Sequence, residues 1–174
     1  MRETVTVTGA SGYIALHVIA LLLDEGYEVR GTLRDMARVE PLRAALARHT
    51  EVSNLSFVAA DLTSDAGWDA AMTDCQYVMH VASPVPIVEP KNHEELIAPA
   101  RDGTLRVLAA ASRAGVRRVV MTSSNAAINS GHGGKSSFTE ADWSILGHDT
   151  GAYASSKTIA ERAAWDFVAG LPVD

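Results

Sequence analysis

The sequence has a single cysteine, no clustered basic stretch and no long apolar run. Cys75 cannot form a disulfide within the chain, which suits a reducing compartment, and we expect a cytoplasmic protein. The formal net charge is −6 without a basic stripe, so a nucleic acid is not an expected partner. The most apolar run, Ile14–Leu23, is too short to span a bilayer, so no membrane association is expected. With 47% apolar and 21% charged residues, the 174-residue chain is typical of one soluble globular domain.

Strand-like apolar segments alternate with helical segments five times. The predicted strands are Thr4–Thr8, Tyr27–Leu33, Leu55–Ala60, Tyr77–Ala82 and Val116–Thr122. The predicted helices are Tyr13–Glu25, Pro41–His49, Ser64–Thr73, Asn92–Ala114 with a break or kink at Pro99, and Ala152–Ala169. This alternation predicts an α/β fold with a doubly wound parallel sheet of the Rossmann type, in strand order 3-2-1-4-5. Ligands bind such sheets beyond the carboxyl ends of the strands.

Three details of these helices follow from local patterns. The first helix carries Ile14, Val18, Leu21 and Leu22 on one side, which we expect to be buried. Ser64 is the expected N-cap of the third helix. In the last helix, Glu161 is expected on a solvated face.

The first strand leads through a glycine turn directly into the first helix. Gly9 permits a tight turn, Gly12 lets the backbone approach a pyrophosphate, and the small Ala15 lets the helix pack on the strand. The first N–H groups of the helix lack intrahelical partners and favour an anion. The Gly-x-x-Gly-x-x-Ala spacing differs by one residue from the commoner Gly-x-Gly-x-x-Gly, and alone it also fits an ordinary turn.

The ends of the next strands carry candidate cofactor residues. Arg34 follows the second strand, where a guanidinium suits the 2′-phosphate of NADPH, although it also fits a solvated surface. Asp35 is the counter-evidence, because its carboxylate suits a bare ribose hydroxyl. Asp61, followed by Leu62, suits an adenine ring or, as an alternative, a simple turn. Small residues end the fourth strand at Val81-Ala82-Ser83-Pro84, so a cofactor can lie against this backbone.

The strongest candidate for chemistry is Tyr153 with Lys157, four residues later on one helix. The i and i+4 spacing places both side chains on the same face. A lysine ammonium favours the phenolate form of a nearby tyrosine, which suits proton transfer. Ser124 follows the fifth strand, and its hydroxyl can bind a substrate carbonyl in the same crevice. These three residues predict a site for hydride transfer.

The combination resembles the extended short-chain dehydrogenase/reductases, closest to the dihydroflavonol reductase and cinnamoyl-CoA reductase branch. The resemblance covers essentially the whole chain. The matching segments are Val5-Thr-Val-Thr-Gly-Ala-Ser-Gly-Tyr-Ile14, Val29-Arg-Gly-Thr-Leu-Arg-Asp35, Ala60-Asp-Leu62, His80-Val-Ala-Ser-Pro84, Arg118-Val-Val-Met-Thr-Ser-Ser124, Asp142-Trp-Ser144 and Tyr153-x-x-Ser-Lys-Thr-x-Ala-Glu161 with Ala164-Trp165.

The resemblance implies NADPH-dependent carbonyl reduction, with Ser124, Tyr153 and Lys157 as catalytic residues. It implies cofactor contacts at Gly9, Ser11, Gly12, Tyr13, Ile14, Arg34, Asp61, Leu62, Val81, Ala82, Ser83, Ser123, Tyr153 and Lys157. It implies that Pro84, Ile128 and Asn129 line the substrate side.

Two departures limit what the resemblance implies. Asn125-Ala126 stands where plant members have Ala-Gly, and the segment Ser130–Ser136 is particular to this chain, so the substrate is not carried over. Members of this family continue into a sixth strand and a C-terminal substrate lobe. We expect residues 1–174 to be the NADP-binding Rossmann domain of a longer enzyme without that lobe, and weak or no turnover by the isolated chain.

Two other functions use the same residues. A sugar-nucleotide epimerase or dehydratase has the same fold and triad, although Arg34 favours a reductase. A non-catalytic nucleotide-binding module is the third hypothesis.

The six histidines have no metal-ligand spacing, so no metal is expected. His80 is expected as a hydrogen-bonded core residue and Trp165 as a packing residue. The expected partner is a small carbonyl compound, and the oligomeric state is left open.

Overall fold

The computed structural model describes residues 2–85, 88–147 and 150–172. The strands are β1 Thr4–Val7, β2 Glu28–Leu33, β3 Leu55–Ala59, β4 Tyr77–His80 and β5 Arg118–Met121. The helices are α1 Tyr13–Asp24, α2 Val39–Leu46, α3 Trp68–Met72, α4 Glu94–Arg113 and α5 Ala152–Ala169, with 3-10 turns at Met36–Arg38 and Asn125–Ala127. Among the described helices, none has both the length and the apolar character needed to cross a bilayer.

The chain divides into two compact units. The first comprises Met1–Ala82 and Arg106–Thr122 and holds all five strands, so we call it the sheet unit. The second comprises Ser83–Leu105 and Ser123–Asp174 and holds α5, and we call it the helical unit. Helix α4 begins in the helical unit and ends in the sheet unit.

The sheet is parallel throughout, in the order β3-β2-β1-β4-β5, as the sequence predicts. Val5 of β1 pairs with Val29 of β2 on one side and with Tyr77 of β4 on the other. Strand β5 pairs with β4 through the register of Val78 with Val119. The order reverses its direction at β1, so the carboxyl ends of β1 and β4 adjoin at the switch point of the sheet.

Alternation along β1 shows helices on both faces of this sheet. Val5 and Val7 lie in the apolar cluster that includes α1 and α2 residues. Thr6 points the other way, and its hydroxyl donates to the carbonyl of Ala71 in α3 at 2.7 Å. A second cluster on that side joins Trp68 of α3 to residues of α4 and β4. The sheet is therefore covered on both faces, as a doubly wound fold requires.

The face of α1 that packs on the sheet matches the predicted one only in part, because Val18 and Leu22 pack against the core cluster but Ile14 and Leu21 do not. Ala15, Ile19 and Leu23 are buried, whereas Ile14 and Leu21 are 54% and 65% exposed. Helix α1 is apolar nearly all round, so periodicity offers two stripes of similar quality. The stripe of Ala15, Ile19 and Leu23 faces the sheet, because the small side chain of Ala15 near the helix start lets α1 lie close to it, as the glycine-turn pattern predicts.

Helix α3 is shorter than predicted, and Ser64 does not cap it. The helix begins only at Trp68, after Gly67, whose φ is +88°. A Cβ at Gly67 would lie 2.0 Å from the carbonyl oxygen of Ala59. The Trp68 indole donates to the carbonyls of Asp61 and Ser64, which holds the preceding segment in turns rather than in helix.

Other boundaries are shifted slightly. Helix α2 begins at Val39 and ends at Leu46, and β4 and β5 end at His80 and Met121, before the predicted positions. Helix α4 continues through Pro99, so the predicted break does not occur, and a kink at Pro99 stays a prediction. Strand bounds shorten where the chain turns out of the sheet at the ligand-binding edge.

Candidate active site

The glycine turn after β1 is tight and closely packed. Gly9 has φ +68°, a left-handed conformation that favours glycine. A Cβ at Gly9 would lie 3.0 Å from the Cβ of Ala82, the residue that follows β4 by two positions. The amide of Gly12 donates to the Gly9 carbonyl at 2.8 Å and closes the turn. The glycine turn and the small residue Ala82 are therefore in direct contact.

Side chains from two other strands anchor this turn, and the sequence alone did not indicate them. The Gly9 amide donates to the hydroxyl of Thr32 in β2 at 3.1 Å. The Thr8 hydroxyl accepts from the Ala82 amide at 3.0 Å and is hydrogen-bonded to Nδ1 of His80 at 2.8 Å. His80 is 2% exposed, which confirms it as a hydrogen-bonded core residue. The turn is therefore fixed to the ends of both neighbouring strands.

The turn presents the first turn of α1 to solvent. Gly12 is the N-cap of this 12-residue helix, and no described side chain caps it. Tyr13 is 79% exposed, Ile14 is 54% exposed, and Ser11 is half-buried. The positive end of the helix dipole consequently faces outward beside small residues, which is favourable for a phosphate group.

Arg34 and Asp61 lie near each other beyond β2 and β3. Arg34 is exposed, and its positive charge contributes to lowering the pKa of the Asp61 carboxyl. The larger cause is the amide and hydroxyl of Thr63, both of which donate to Asp61 Oδ1 at 2.8 Å. Asp61 therefore performs the turn role that the sequence offered as the alternative to binding adenine.

The carboxylate of Asp35 also binds a nearby backbone group. Its carboxylate accepts from the Ala37 amide at 2.9 Å and caps the 3-10 turn Met36–Arg38. Leu62 packs against the second cluster, and its carbonyl accepts from the guanidinium of Arg106 at 2.9 Å. Val81 packs against the first cluster. Beyond β2, the guanidinium groups of Arg34 and Arg38 are both exposed.

In the helical unit, Ser124 lies beside the helix that carries Tyr153 and Lys157. Ser124 is the N-cap of the 3-10 turn Asn125–Ala127, with its hydroxyl accepting from the Ala126 amide at 3.2 Å. This turn packs against α5. Tyr153 is half-buried in the first turn of α5, with the Lys157 Nζ 5.9 Å from its ring centroid. The structure thus brings the three predicted catalytic residues into one small region.

Lys157 is a buried cation. Its residue exposure is 6%, and desolvation lowers the pKa of its ammonium, while the carboxylate of Glu161 acts in the opposite direction. Burial of an ammonium is costly, so its retention is typical of a functional position.

Glu161 is not on a merely solvated face, and that prediction is wrong. Its Oε2 accepts a hydrogen bond from the hydroxyl of Ser123, the residue before Ser124. The spacing of four residues from Lys157 was a signal available in the sequence. Trp165, by contrast, is 62% exposed, so the expectation that it packs in a core is wrong.

The predicted substrate-side residues occupy the connections of the helical unit. Ser83 and Pro84 are half-buried, as is Ile128, whereas Asn129 is exposed. The Ile128 carbonyl is hydrogen-bonded to Nε2 of His132 at 3.2 Å. These contacts define positions but not a substrate.

The sheet order, the glycine turn and the nearby helix N-terminus define a dinucleotide-binding α/β protein of the Rossmann type. The profile of the NAD dependent epimerase/dehydratase family matches residues 5–170, and the chain belongs to this family.

The most informative relatives are reductases. The chain is 38% identical to dihydroflavonol 4-reductase of Arabidopsis thaliana over 173 residues, which are 95% of this chain and 45% of that protein. The structure of Gre2 from Candida albicans in complex with NADPH matches with a TM-score of 0.84 and 34% identity, covering 98% of this chain and 54% of that one. Yeast methylglyoxal/isovaleraldehyde reductase Gre2, complexed with NADPH, matches with a TM-score of 0.82 and 31% identity, covering 96% and 53%. The chain spans about half the length of the relatives it matches.

Proposed function

We propose that this chain contributes the cofactor-binding and proton-transfer residues of an NADPH-dependent reductase acting on an aldehyde or ketone. Tyr153 is the general acid, Lys157 holds its ammonium beside the tyrosine ring, and Ser124 orients the substrate carbonyl. The observation that carries the proposal is the placement of a buried lysine beside Tyr153, with Ser124 on the turn packed against the same helix.

Each of these side chains has a defined task. The Tyr153 hydroxyl donates a proton to the carbonyl oxygen as negative charge develops there. General acid catalysis of this kind raises the rate by about 10²–10⁴-fold. The Lys157 ammonium favours the phenolate that remains. The Ser124 hydroxyl donates a hydrogen bond to the same oxygen and holds the carbonyl in place.

The residues of the sheet unit fit a dinucleotide. The packing at Gly9 excludes a side chain from the turn, and the N-terminus of α1 is free of acidic residues in its first turn. Gly12 is exposed and in extended conformation, which lets a phosphate approach the backbone. When bound, NADPH supplies the hydride. We assign its other contacts, as proposals, to Ser11, Tyr13, Ile14, Asp61, Leu62, Val81, Ala82, Ser83 and Ser123, and the substrate side to Pro84, Ile128 and Asn129.

Arg34 is the proposed determinant of NADPH over NADH. Its guanidinium is exposed beyond β2, whereas the neighbouring Asp35 carboxylate is already bound to the Ala37 amide. Two solved relatives contain NADPH, which agrees with this choice. Arg34→Gln should weaken NADPH binding and leave NADH binding nearly unchanged, because only NADPH carries the 2′-phosphate.

The central test is Tyr153→Phe in an enzyme that also carries the expected substrate lobe, in an assay of NADPH oxidation with methylglyoxal. Turnover should fall by about 10²–10⁴ while the NADPH dissociation constant stays the same. Tyr27→Phe is the matched control, since Tyr27 packs edge-to-face on Tyr77 in the sheet unit and its ring is retained. Equal turnover of Tyr153→Phe and wild type would refute the role of Tyr153.

The second candidate function is an epimerase or dehydratase acting on a sugar nucleotide. The description of the matching family favours it, because the family is named for these reactions. Such an enzyme returns the hydride to its substrate, so it would convert a sugar nucleotide without net consumption of the dinucleotide. Stoichiometric NADPH oxidation supports the reductase, and conversion without it supports the alternative.

A further inference from the structure

Glu161 connects helix α5, which carries Tyr153 and Lys157, with the segment that carries Ser124. One carboxylate oxygen accepts from the hydroxyl of Ser123. The other lies 3.4 Å from the indole nitrogen of Trp165, one turn further along α5. The carboxylate is therefore directed towards the start of the Ser124 turn rather than into solvent.

The side chains of Ser123 and Ser124 bind different partners. The backbone at Ser124 is extended, with φ −156° and ψ 149°, so successive side chains point to opposite sides. The Ser124 hydroxyl caps the following 3-10 turn, whereas that of Ser123 reaches α5 through Glu161. The contact made by Ser123 therefore fixes the backbone from which Ser124 projects.

Glu161 also follows Lys157 by one helical turn. Residues at i and i+4 are neighbours on a helix surface, so the carboxylate and the ammonium lie on the same side of α5. The carboxylate partly compensates the burial of Lys157, as its opposing effect on the pKa of that lysine indicates.

We infer that Glu161 is a positioning residue of this site, which holds the Ser123–Ser124 segment against α5 and places a negative charge one helical turn from the buried ammonium of Lys157. This inference rests on the proposed reductase for its catalytic consequence, but its structural half does not. It assigns a task to a residue that touches neither the reacting atoms nor, by any contact described above, the cofactor.

Several other charged groups described in the helical unit make contacts elsewhere. Lys135 is paired with Asp142, and the guanidinium of Arg162 stacks over the ring of Trp143 at 5.0 Å. Glu89 binds the amide of Ala152 at the start of α5. The 3-10 turn packed on α5 consists of Asn125, Ala126 and Ala127, which carry no charge. Among the described residues, the carboxylate of Glu161 is a charge that acts on the pKa of Lys157, and the ring of Tyr153 lies beside the Lys157 Nζ.

The decisive measurement is the titration of Lys157 by NMR. The chain has three lysines, so ¹³C labelling of lysine Cε gives three signals, assigned by replacing Lys91 and Lys135 with arginine. In Glu161→Gln, which keeps an oxygen to accept from Ser123 but removes the charge, the Lys157 midpoint should move to lower pH. Glu140→Gln, which removes an exposed carboxylate of the same unit, should leave it in place. An unchanged Lys157 midpoint in Glu161→Gln would overturn the inference.

Kinetics test the catalytic half. At neutral pH, NADPH oxidation with methylglyoxal should fall about 10- to 100-fold in Glu161→Ala, which loses both the charge and the acceptor, and less in Glu161→Gln. The loss should appear in kcat rather than in the NADPH dissociation constant. Full turnover by Glu161→Ala would overturn this half. These kinetics need an enzyme that also carries the expected substrate lobe. If such an enzyme binds NADPH but reduces no carbonyl, the reductase is refuted instead, and the NMR titration still decides the role of Glu161.

Discussion

The glycine turn makes a quantitative prediction, because the chain holds a nearly matched pair of left-handed glycines. Gly9 has φ +68° and Gly115 has φ +69°. A Cβ at Gly9 would lie 3.0 Å from the Cβ and 3.1 Å from the Cα of Ala82, whereas a Cβ at Gly115 meets nothing within 4 Å. Substituting alanine at both positions therefore separates the cost of the backbone conformation from the cost of the contact.

The magnitudes follow from these two terms. A left-handed conformation costs a non-glycine residue about 1–2 kcal/mol, and both variants incur it. Overpacking a close contact costs about 1–3 kcal/mol more, and only Gly9→Ala incurs this cost, because the backbone of Ala82 cannot rotate away as a side chain can. The expected losses of unfolding free energy are about 2–5 kcal/mol for Gly9→Ala and about 1–2 kcal/mol for Gly115→Ala.

Urea-induced unfolding measures both losses, with the fluorescence of buried Trp68 reporting on the sheet unit. NADPH titration supplies a second readout, in which Gly9→Ala should weaken binding. Gly115→Ala should bind as wild type does, since Gly115 lies in the connection between α4 and β5. Equal unfolding losses in the two variants, or equal NADPH affinities, would refute the reasoning that packing at Gly9 shapes the phosphate site.

Three further outcomes are expected. Thr8→Val, which keeps the shape of a fully buried side chain but loses its contacts with His80 and the Ala82 amide, should cost about 1–3 kcal/mol in urea unfolding. Glu89→Ala and Gly151→Ala should each lower the free energy of unfolding by about 1 kcal/mol, because a Cβ at Gly151 would lie 2.6 Å from the Glu89 Oε1 that caps α5. Since both changes affect this one contact, the double variant should lose less than the sum of the two. Burial lowers the pKa of Lys157, so between that lowered value and the ordinary 10.5 the unfolded chain binds more protons than the folded chain. Stability should therefore rise with pH in this window, and Lys157→Met should flatten the rise in urea midpoints.

The order of the sheet could be predicted because it depends on a repeated signal. Each strand is followed by a helix, and right-handed crossovers allow few topologies for such an alternation. The predicted glycine turn and the Tyr153–Lys157 pair are also local, since each is defined by residues within one turn or one helical turn. Their positions in the structure match the sequence pattern for that reason.

The errors occurred where the outcome depends on distant residues. The residues of α1 that are buried depend on the close approach of Ala15 to the sheet, and the hydrophobic periodicity of the sequence does not contain this information. The start of α3 was set by Gly67 against the carbonyl of Ala59 and by the indole of Trp68, which bonds the turns before it. The supports of the candidate site are likewise long-range, because Thr32 reaches Gly9 and Glu161 reaches Ser123 across many residues.

Helix α5 shows why the surroundings of Lys157 could not be recognised from hydrophobicity. The residues that flank Lys157 along the chain are buried, yet they are small and polar: Ser155 is 7% exposed, and Ser156 and Thr158 are fully buried. The Ser156 and Thr158 hydroxyls donate to the carbonyls of Tyr153 and Ala154, both at 2.7 Å, so each is satisfied within the helix itself. Burial therefore leaves no polar atom of these two hydroxyls unpaired.

Small residues of this kind let a neighbouring backbone lie close to α5, and the 3-10 turn that begins after Ser124 does so. An apolar stripe of large side chains would separate the turn from the helix and move Ser124 away from Tyr153. Small side chains at Ser156 and Thr158, with their hydroxyls paired inside the helix, thus fit both the burial of this part of α5 and the close packing of the turn that Ser124 caps.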